Sequence, residues 1–427
     1  ECLAGDGDRV MVINTTGSTR NDVALLGECD ADYLTDAEGH EYPVQQTADG
    51  AVVYVQNIPS KGYRGFGKGK YAEGAKDQAG AFTLVDNYTL ETPFYSVHLD
   101  EHCEIDRIYD KENDREIVQP GKTLNHICMY EDKPIYYDNW DIDIFYTEKS
   151  WNVDSVESME WTEMGSVRAV LTITRKASRS TLTQKVIFYA SQRRIEFQTH
   201  VDWKEHQTLL KVHFPVAVHT DEATFDVQFG NLTRKTHSNT SWDVARFESC
   251  GQKWMDLSEG HYGVSLLNDC KYGHSVKDSN MALTLIKSGI EPNPTTDQEE
   301  HDFTYALYPH RETWRAAGTV AESYRLNQPL RGETGASTDR EEMSFAAVNA
   351  SNVVIETIKQ AEDGQGIVIR MYESENALTR ATVTVNTDFA KAYVCNLLEE
   401  QESQAEVAGR KISVTLKPYE VVTLKLV

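Results

Sequence analysis

Four stretches of this 427-residue chain combine residue types that could do chemistry. His98-Leu99-Asp100-Glu101-His102-Cys103 offers imidazole, carboxylate and thiol groups, and a spacing of four lets His98 and His102 share a side, as a zinc site requires. Phe94 to Leu99, however, reads as a strand entering a turn, where such residues commonly decorate the surface. Asp297-Gln298-Glu299-Glu300-His301-Asp302 follows a loop with Pro292 and Pro294. Two carboxylates about 5–9 Å apart could do acid/base work on a sugar, yet neighbouring carboxylates in an acidic protein usually form a solvated face.

The other two stretches are denser than a core requires. Tyr136-Tyr137-Asp138-Asn139-Trp140-Asp141-Ile142-Asp143 mixes aromatic rings with carboxylates and an amide. That mixture suits sugars, because a ring stacks on the apolar sugar face while Asp and Asn bond the hydroxyls. The segment from Asn231 to Glu248 again joins hydrogen-bonding groups to Trp242, Arg234 and Arg246. A surface loop pinned by a buried Trp and Arg–Asp pairs would read the same way. Nucleophile-elbow, P-loop, dinucleotide and H-E-x-x-H patterns are all missing from the sequence.

The elements that must position these stretches are strands. Ile195 to Trp203 alternates apolar and polar residues, and Leu210 to Val218 repeats the pattern after a short polar turn. The alternation predicts two half-buried antiparallel strands joined as a hairpin. Val10–Asn14, Ala169–Arg175, Ile367–Tyr372, Ala381–Asn386, Ile412–Lys417 and Val421–Leu426 read likewise, and the best helix candidate runs from about Trp314 to Leu326. The expectation is an all-β chain. Gly67 to Gly80, rich in Gly, Lys and Ala, and the polar run Arg331 to Glu342, read as an exposed linker, mark boundaries. They divide the chain into pieces of about 75, 260 and 90 residues, the outer two the size of small β-sandwiches.

Composition excludes some partners. With 67 Asp and Glu against 42 Lys and Arg, the formal charge of −25 argues against nucleic acid and anionic membranes. No apolar run is long enough to span a bilayer as a helix. Seven cysteines without a C-x-x-C pair favour a reducing compartment over a disulfide scaffold, hence a cytoplasmic address. The N-x-S/T triplets at Asn14, Asn87, Asn231, Asn239 and Asn349 are read as coincidental. The opening Glu1-Cys2-Leu3-Ala4, without Met, suggests a piece of something longer.

Several motifs resemble one family in order along the chain. They are Val12 to Thr15, Glu91 to Tyr95 with Ile108 to Lys111, Tyr137 to Asp143, Asn239 to Glu248, Leu266 to Gly273 and Phe303 to His310. Together they resemble the α-mannosidases of glycoside hydrolase family 38, in the bacterial and cytosolic branch. The resemblance implies a large galactose-mutarotase-like β-supersandwich over 76–335, flanked by small β-sandwiches over 1–75 and 336–427. It also implies a retaining hydrolase of α-mannosides whose Asp nucleophile, carboxylic acid/base and zinc ion belong to an N-terminal catalytic barrel. No stretch here resembles that barrel, so no nucleophile or metal ligand is assigned to this chain.

What the resemblance implies for this half is a supporting role and contacts to a mannose-containing oligosaccharide at the cleft of its own N-terminal catalytic domain, with oligomers possible. Trp140 and Asp141 lead the candidate contacts, followed by Asp138 and Asp143. Asn239, Trp242 and Arg246 are expected to face the cleft or the inter-domain seam, and Lys287 stands where some relatives carry a basic residue. A free-standing carbohydrate-binding module is the alternative. The implied central fold is shared with aldose epimerases, whose chemistry needs His and Glu on facing strands. His200 and His213 fall on the polar face, and no paired Glu declares itself.

Overall fold

The structure is a computed structural model describing residues 9–72, 80–335 and 340–427. The opening tetrapeptide and residues 73–79 and 336–339 of the two boundary runs lie outside them. The described chain is all-β, as its alternation predicts, with six sheets among these residues. It divides into two compact units, one made of residues 1–78, 228–231 and 320–427, the other of 79–227 and 232–319.

In the first unit an eight-stranded sheet begins with Arg9–Asn14, which pairs with both Leu330–Thr334 and Gly62–Gly69. The double pairing closes the sheet on itself around Val10, Val12, Val53, Phe66 and Leu330. The supposed linker is therefore partly a strand: Leu330–Thr334 runs antiparallel to Arg9–Asn14 and parallel to Arg20–Leu26. Leu330 and Gly332 point inward while Arg331, Glu333 and Thr334 face water, so the outward residues made it look like a linker. The carboxy-terminal strands form four- and five-stranded sheets that close over Ile369, Val383, Ile412 and Leu424.

In the second unit, nine-, six- and five-stranded sheets share one large apolar core. The expected hairpin is overturned. Ile195–Asp202 pairs with Ser180–Tyr189 and Glu300–Arg311 in the nine-stranded sheet. Thr208–Pro215 pairs with His126–Glu131 and Asn280–Ser288 in the six-stranded one. The two strands face each other across the core, with the Phe197 and Phe214 rings 5.6 Å apart. Alternation reports which face is buried, not which neighbour supplies the hydrogen bonds. The helix also starts later than expected, at Thr319–Asn327, because Gly318 has φ +69°, a conformation no helix interior accepts.

Candidate functional site

The loop after strand His126–Glu131 carries the first aromatic stretch. Its frame is two buried carboxylates and a half-buried lysine. Lys287, on Asn280–Ser288, donates to the fully buried Asp132 carboxylate and to the Asp138 carbonyl. The Asp138 side chain, in a residue only 4% exposed, accepts N–H bonds from Ile290 and Glu291 at 2.8 and 2.7 Å and from Gln207 Nε2 at 3.1 Å. Burial pushes the Asp138 pKa up, but these donors and nearby Lys287 outweigh it, and the pKa falls below the ordinary 3.8. Asp132 moves the other way, raised by burial that Lys287 only partly offsets. Gly289 is required here, since a Cβ would sit 2.4 Å from Asn139 Nδ2 and 2.7 Å from Asp138 Oδ1.

On this frame the polypeptide turns outward. The Trp140 and Asp141 N–H groups both bond the Tyr137 carbonyl, and Asp143 Oδ2 accepts the Ile135 N–H at 3.0 Å. Trp140 is left 74% exposed, its ring 5.3 Å from that of Tyr137, with Asp141 exposed beside it. A short 3-10 helix, Ile144–Glu148, then drives Tyr146 into the interior.

The second aromatic stretch makes a single helical turn, Ser241–Val244. Thr240 caps it and Asp243 bonds back to the Thr240 backbone, a reciprocal capping box. Trp242 projects at 76% exposure, and Asn239 and Arg246 are exposed on the same stretch. At its far end Phe247 packs 6.4 Å from the Tyr146 ring and Glu248 turns inward.

One lysine ties the two stretches together. Lys211 is 1% exposed and donates to Glu248, to Tyr146 Oη at 3.2 Å and to Ser275 Oγ at 2.9 Å. Tyr146 in turn donates to Glu248 at 2.7 Å. Burial lowers the Lys211 pKa, with the Glu248 carboxylate opposing the shift.

The structure thus brings Asp138 and Lys287 into contact, closes Asp143 onto its own loop, and leaves Trp140, Asp141, Asn239, Trp242 and Arg246 at the surface. Sequence reasoning missed Lys211, whose alternate position between Leu210 and Val212 marked it as solvent-facing. It also missed Glu104, His126 and Cys128, which meet in a separate cleft; the i, i+2 spacing of His126 and Cys128 on a strand was the available signal. His98 and His102 do not converge: His98 lies 2.6 Å from Asp106 and His102 faces the Asp154 carbonyl. Asp297, Glu299 and His301 do group, but His301 Nε2 already bonds the Asp297 carbonyl at 2.8 Å. Asn14 and Asn231 are buried, and the Asn14 amide is bonded to the Ser18, Ile58 and Pro59 carbonyls.

Comparison with known proteins now decides the family. Residues 90–295 match the profile of the glycosyl hydrolases family 38 C-terminal domain. Residues 352–424 match that of the family 38 C-terminal beta sandwich domain. The chain belongs to the C-terminal part of glycosyl hydrolase family 38. This family 38 chain is 33% identical over 369 residues to alpha-mannosidase G of Dictyostelium discoideum, covering 82% of itself and 33% of that protein. It is 34% identical over 347 residues to human alpha-mannosidase 2C1, covering 79% of itself and again 33% of the relative. It therefore spans about a third of the length of these relatives. Its fold matches the crystal structure of an alpha-mannosidase from Enterococcus faecalis V583 with a TM-score of 0.74 at 15% identity, over 99% of this chain and 57% of that one. Both aromatic stretches lie inside the first matched region of the family 38 chain.

Proposed function

We propose that this chain is the C-terminal β portion of a retaining, zinc-dependent α-mannosidase that hydrolyses terminal α-mannosides. On this reading the nucleophile, the acid/base and the zinc ion come from a catalytic domain outside these 427 residues, and the chain alone is inactive. It works as three parts, 1–75, 76–335 and 336–427, with Leu330–Thr334 returning to pair with strands of the first part and the rest of the middle part closing over the catalytic cleft. The observation that carries the reading is a pair of exposed, aromatic-tipped stretches held by buried charges within a region that matches the family profile. Trp140, Asp141, Asn239, Trp242 and Arg246 supply the contacts to a mannose-containing oligosaccharide or to the catalytic domain. Asp138, Asp143 and Lys287 act through the loop they frame. No helix among the described residues is long and apolar enough to cross a membrane, and we assign the protein to the cytoplasm.

The test is turnover of an aryl α-mannoside, with and without added zinc, by this chain and by the full-length protein. Activity confined to the full-length protein supports the reading, and clear turnover by the chain alone overturns it. Two exposed tryptophans also fit a free-standing carbohydrate-binding module. Calorimetry with mannobiose separates the two, because a module binds at micromolar level without the catalytic domain and loses binding in Trp140→Ala.

A further inference from the structure

A cleft of about 710 Å³ opens over the six-stranded sheet, and its lining includes Glu104, His126, Cys128, Tyr130, Asn152 and His213. Strand alternation explains the set. His126, Cys128 and Tyr130 share the outer face of His126–Glu131, while Ile127 and Met129 enter the core. His213 is the cross-strand partner of His126, and Asn152 that of Cys128. The groups are ordered as a relay. His126 Nδ1 lies 2.7 and 2.9 Å from the two oxygens of Glu104, and Nε2 lies 2.9 Å from Cys128 Sγ. Glu104 is itself buried and accepts a hydrogen bond from the Thr123 hydroxyl. A carboxylate that orients imidazole toward a thiol favours transfer of the thiol proton to the ring and leaves a thiolate.

The surroundings support a protonated His126. The thiol first, and then Glu104, push the His126 pKa up to about 10. His213, with ring centroid 6.2 Å away, is driven down to about 3, by burial first and then by the charges of Lys211 and His126. It stays neutral between Tyr130 at 2.8 Å and Asn280 at 3.1 Å and does not compete for the proton. Tyr130 stands on the same strand face as Cys128, and the protonated thiol's other neighbour is Asn152 Oδ1 at 3.6 Å. The titratable or charged groups around the Cys128–His126 pair are thus Glu104, Tyr130 and His213, with Lys211 behind His213 and Lys122, Lys277 and Asp278 elsewhere in the cleft lining.

We propose that Cys128, 5% exposed where it lines the cleft, is an activated thiolate, paired with His126 and oriented by Glu104, and that the cleft admits a low-molecular-weight disulfide that modifies it. The exposed charges in the lining are Lys122, Lys277 and Asp278, two cations to one carboxylate, which suits a carboxylate-bearing one. In the step, the Cys128 sulfur attacks one sulfur of R–S–S–R. A new mixed disulfide forms, the old S–S bond breaks, and the departing RS⁻ takes the proton from the His126 imidazolium. One disulfide is exchanged for another, so no further oxidant is needed. The modification places a bulky polar group in the cleft.

The test treats the purified 427-residue chain with dithiobis(nitrobenzoate), an anionic aromatic disulfide, and with oxidised glutathione, and locates the adducts by peptide mass. The internal references are the exposed Cys250 and Cys270, the latter with its thiol pKa pushed up to about 11 by burial and Asp269. We expect one fast equivalent at Cys128 at pH 7, reacting roughly 10-fold faster than either reference. That phase vanishes in Cys128→Ser and slows about 10-fold in His126→Gln, with a smaller loss in Glu104→Gln. Should His126→Gln fail to fold, the unmodified chain still decides. A paired thiolate reacts at a nearly constant rate from about pH 6 to 8, whereas an ordinary thiol gains close to 10-fold per unit. Cys128 reacting no faster than Cys250, or a rate that climbs with pH like that of a free thiol, overturns the proposal.

Discussion

Trp140 and Trp242 are almost equally exposed, yet the segments beneath them are held by different means. The Trp140 loop is bound along its length: Asp138 gathers two backbone N–H groups and Gln207, and Lys287 bridges Asp132 to the Asp138 carbonyl. The Trp242 turn is mostly self-contained, closed by its own capping box and reaching the interior chiefly through Glu248. Exposure alone would rank the two rings as equivalent. Anchorage separates them: the first ring stands on a preorganised frame, the second on a turn closed mainly by its own capping box. Preorganisation matters because a contact made by a fixed ring costs less ordering entropy on binding.

The largest effect should come from removing what the two segments share. Lys211→Met leaves Glu248 without its cation and takes a donor from Tyr146. Breaking a buried pair from one side costs about 3–5 kcal/mol, so urea unfolding should show a loss of that order. Both segments should also lose amide protection together. A loss below about 1 kcal/mol would mean that Lys211 does not tie them, and the comparison would fall back to two independent loops.

Next comes Asp138→Ala, which touches the first segment alone. Lost charge-assisted bonds to the Ile290, Glu291 and Gln207 donors predict about 2–3 kcal/mol of destabilisation, read as faster amide exchange over 135–143 with 240–248 unchanged. Its pH dependence has a definite sign. The folded carboxyl titrates below its ordinary 3.8, so the stabilisation is fully present above that value and fades as the pH falls through the folded one. The gap between parent and variant should therefore close under acid. A gap that widens would mean that Asp138 is held protonated.

How far these anchors could be read from sequence depends on what kind of contact makes them. The aromatic stretches stood out because Trp140 and Trp242 sit among carboxylates and amides, a local pattern. All-β architecture was equally local, being written in alternation at Ile195 to Trp203 and elsewhere. Strand partners were not, and the mistaken hairpin shows why: Phe197 and Phe214 meet across the core although their strands never exchange a hydrogen bond. Lys211 was hidden for a related reason. Its side of the strand is covered by Tyr146 and Glu248, which are 65 and 37 residues away, and nothing beside Lys211 announces them. The polar face of Leu330–Thr334 misled in the same manner.

A smaller effect isolates the second segment. Thr240→Ala removes the hydroxyl that caps Asp243 N–H at 3.2 Å and bonds its carboxylate at 2.7 Å. Loss of an N-cap costs about 1 kcal/mol, but the turn is one helical turn long and exposed, so the change should be local. Amide exchange over 241–246 should quicken while global unfolding moves little. Protection lost around Trp140 as well would show that the turn is coupled to the first loop before Glu248, against the picture of a self-capped turn.

The tryptophans themselves should matter least for stability and most for telling the loops apart. Both rings are exposed, so Trp140→Ala and Trp242→Ala should each change unfolding free energy by no more than about 0.5 kcal/mol. Activity of the full-length protein on an oligomannoside is the discriminating readout. If both rings meet the substrate, the one on the rigid frame delivers more of its contact energy, since little is spent on holding it still. Trp140→Ala should then lower kcat/KM by about 10-fold, equivalent to about 1.4 kcal/mol, and Trp242→Ala by clearly less. Adding Asp138→Ala should bring Trp140 down to the level of Trp242, because the frame is what distinguishes them. Equal losses for the two single variants would show that anchorage does not set the contribution. A larger loss for Trp242→Ala would reverse the ranking and make the self-capped turn the principal contact.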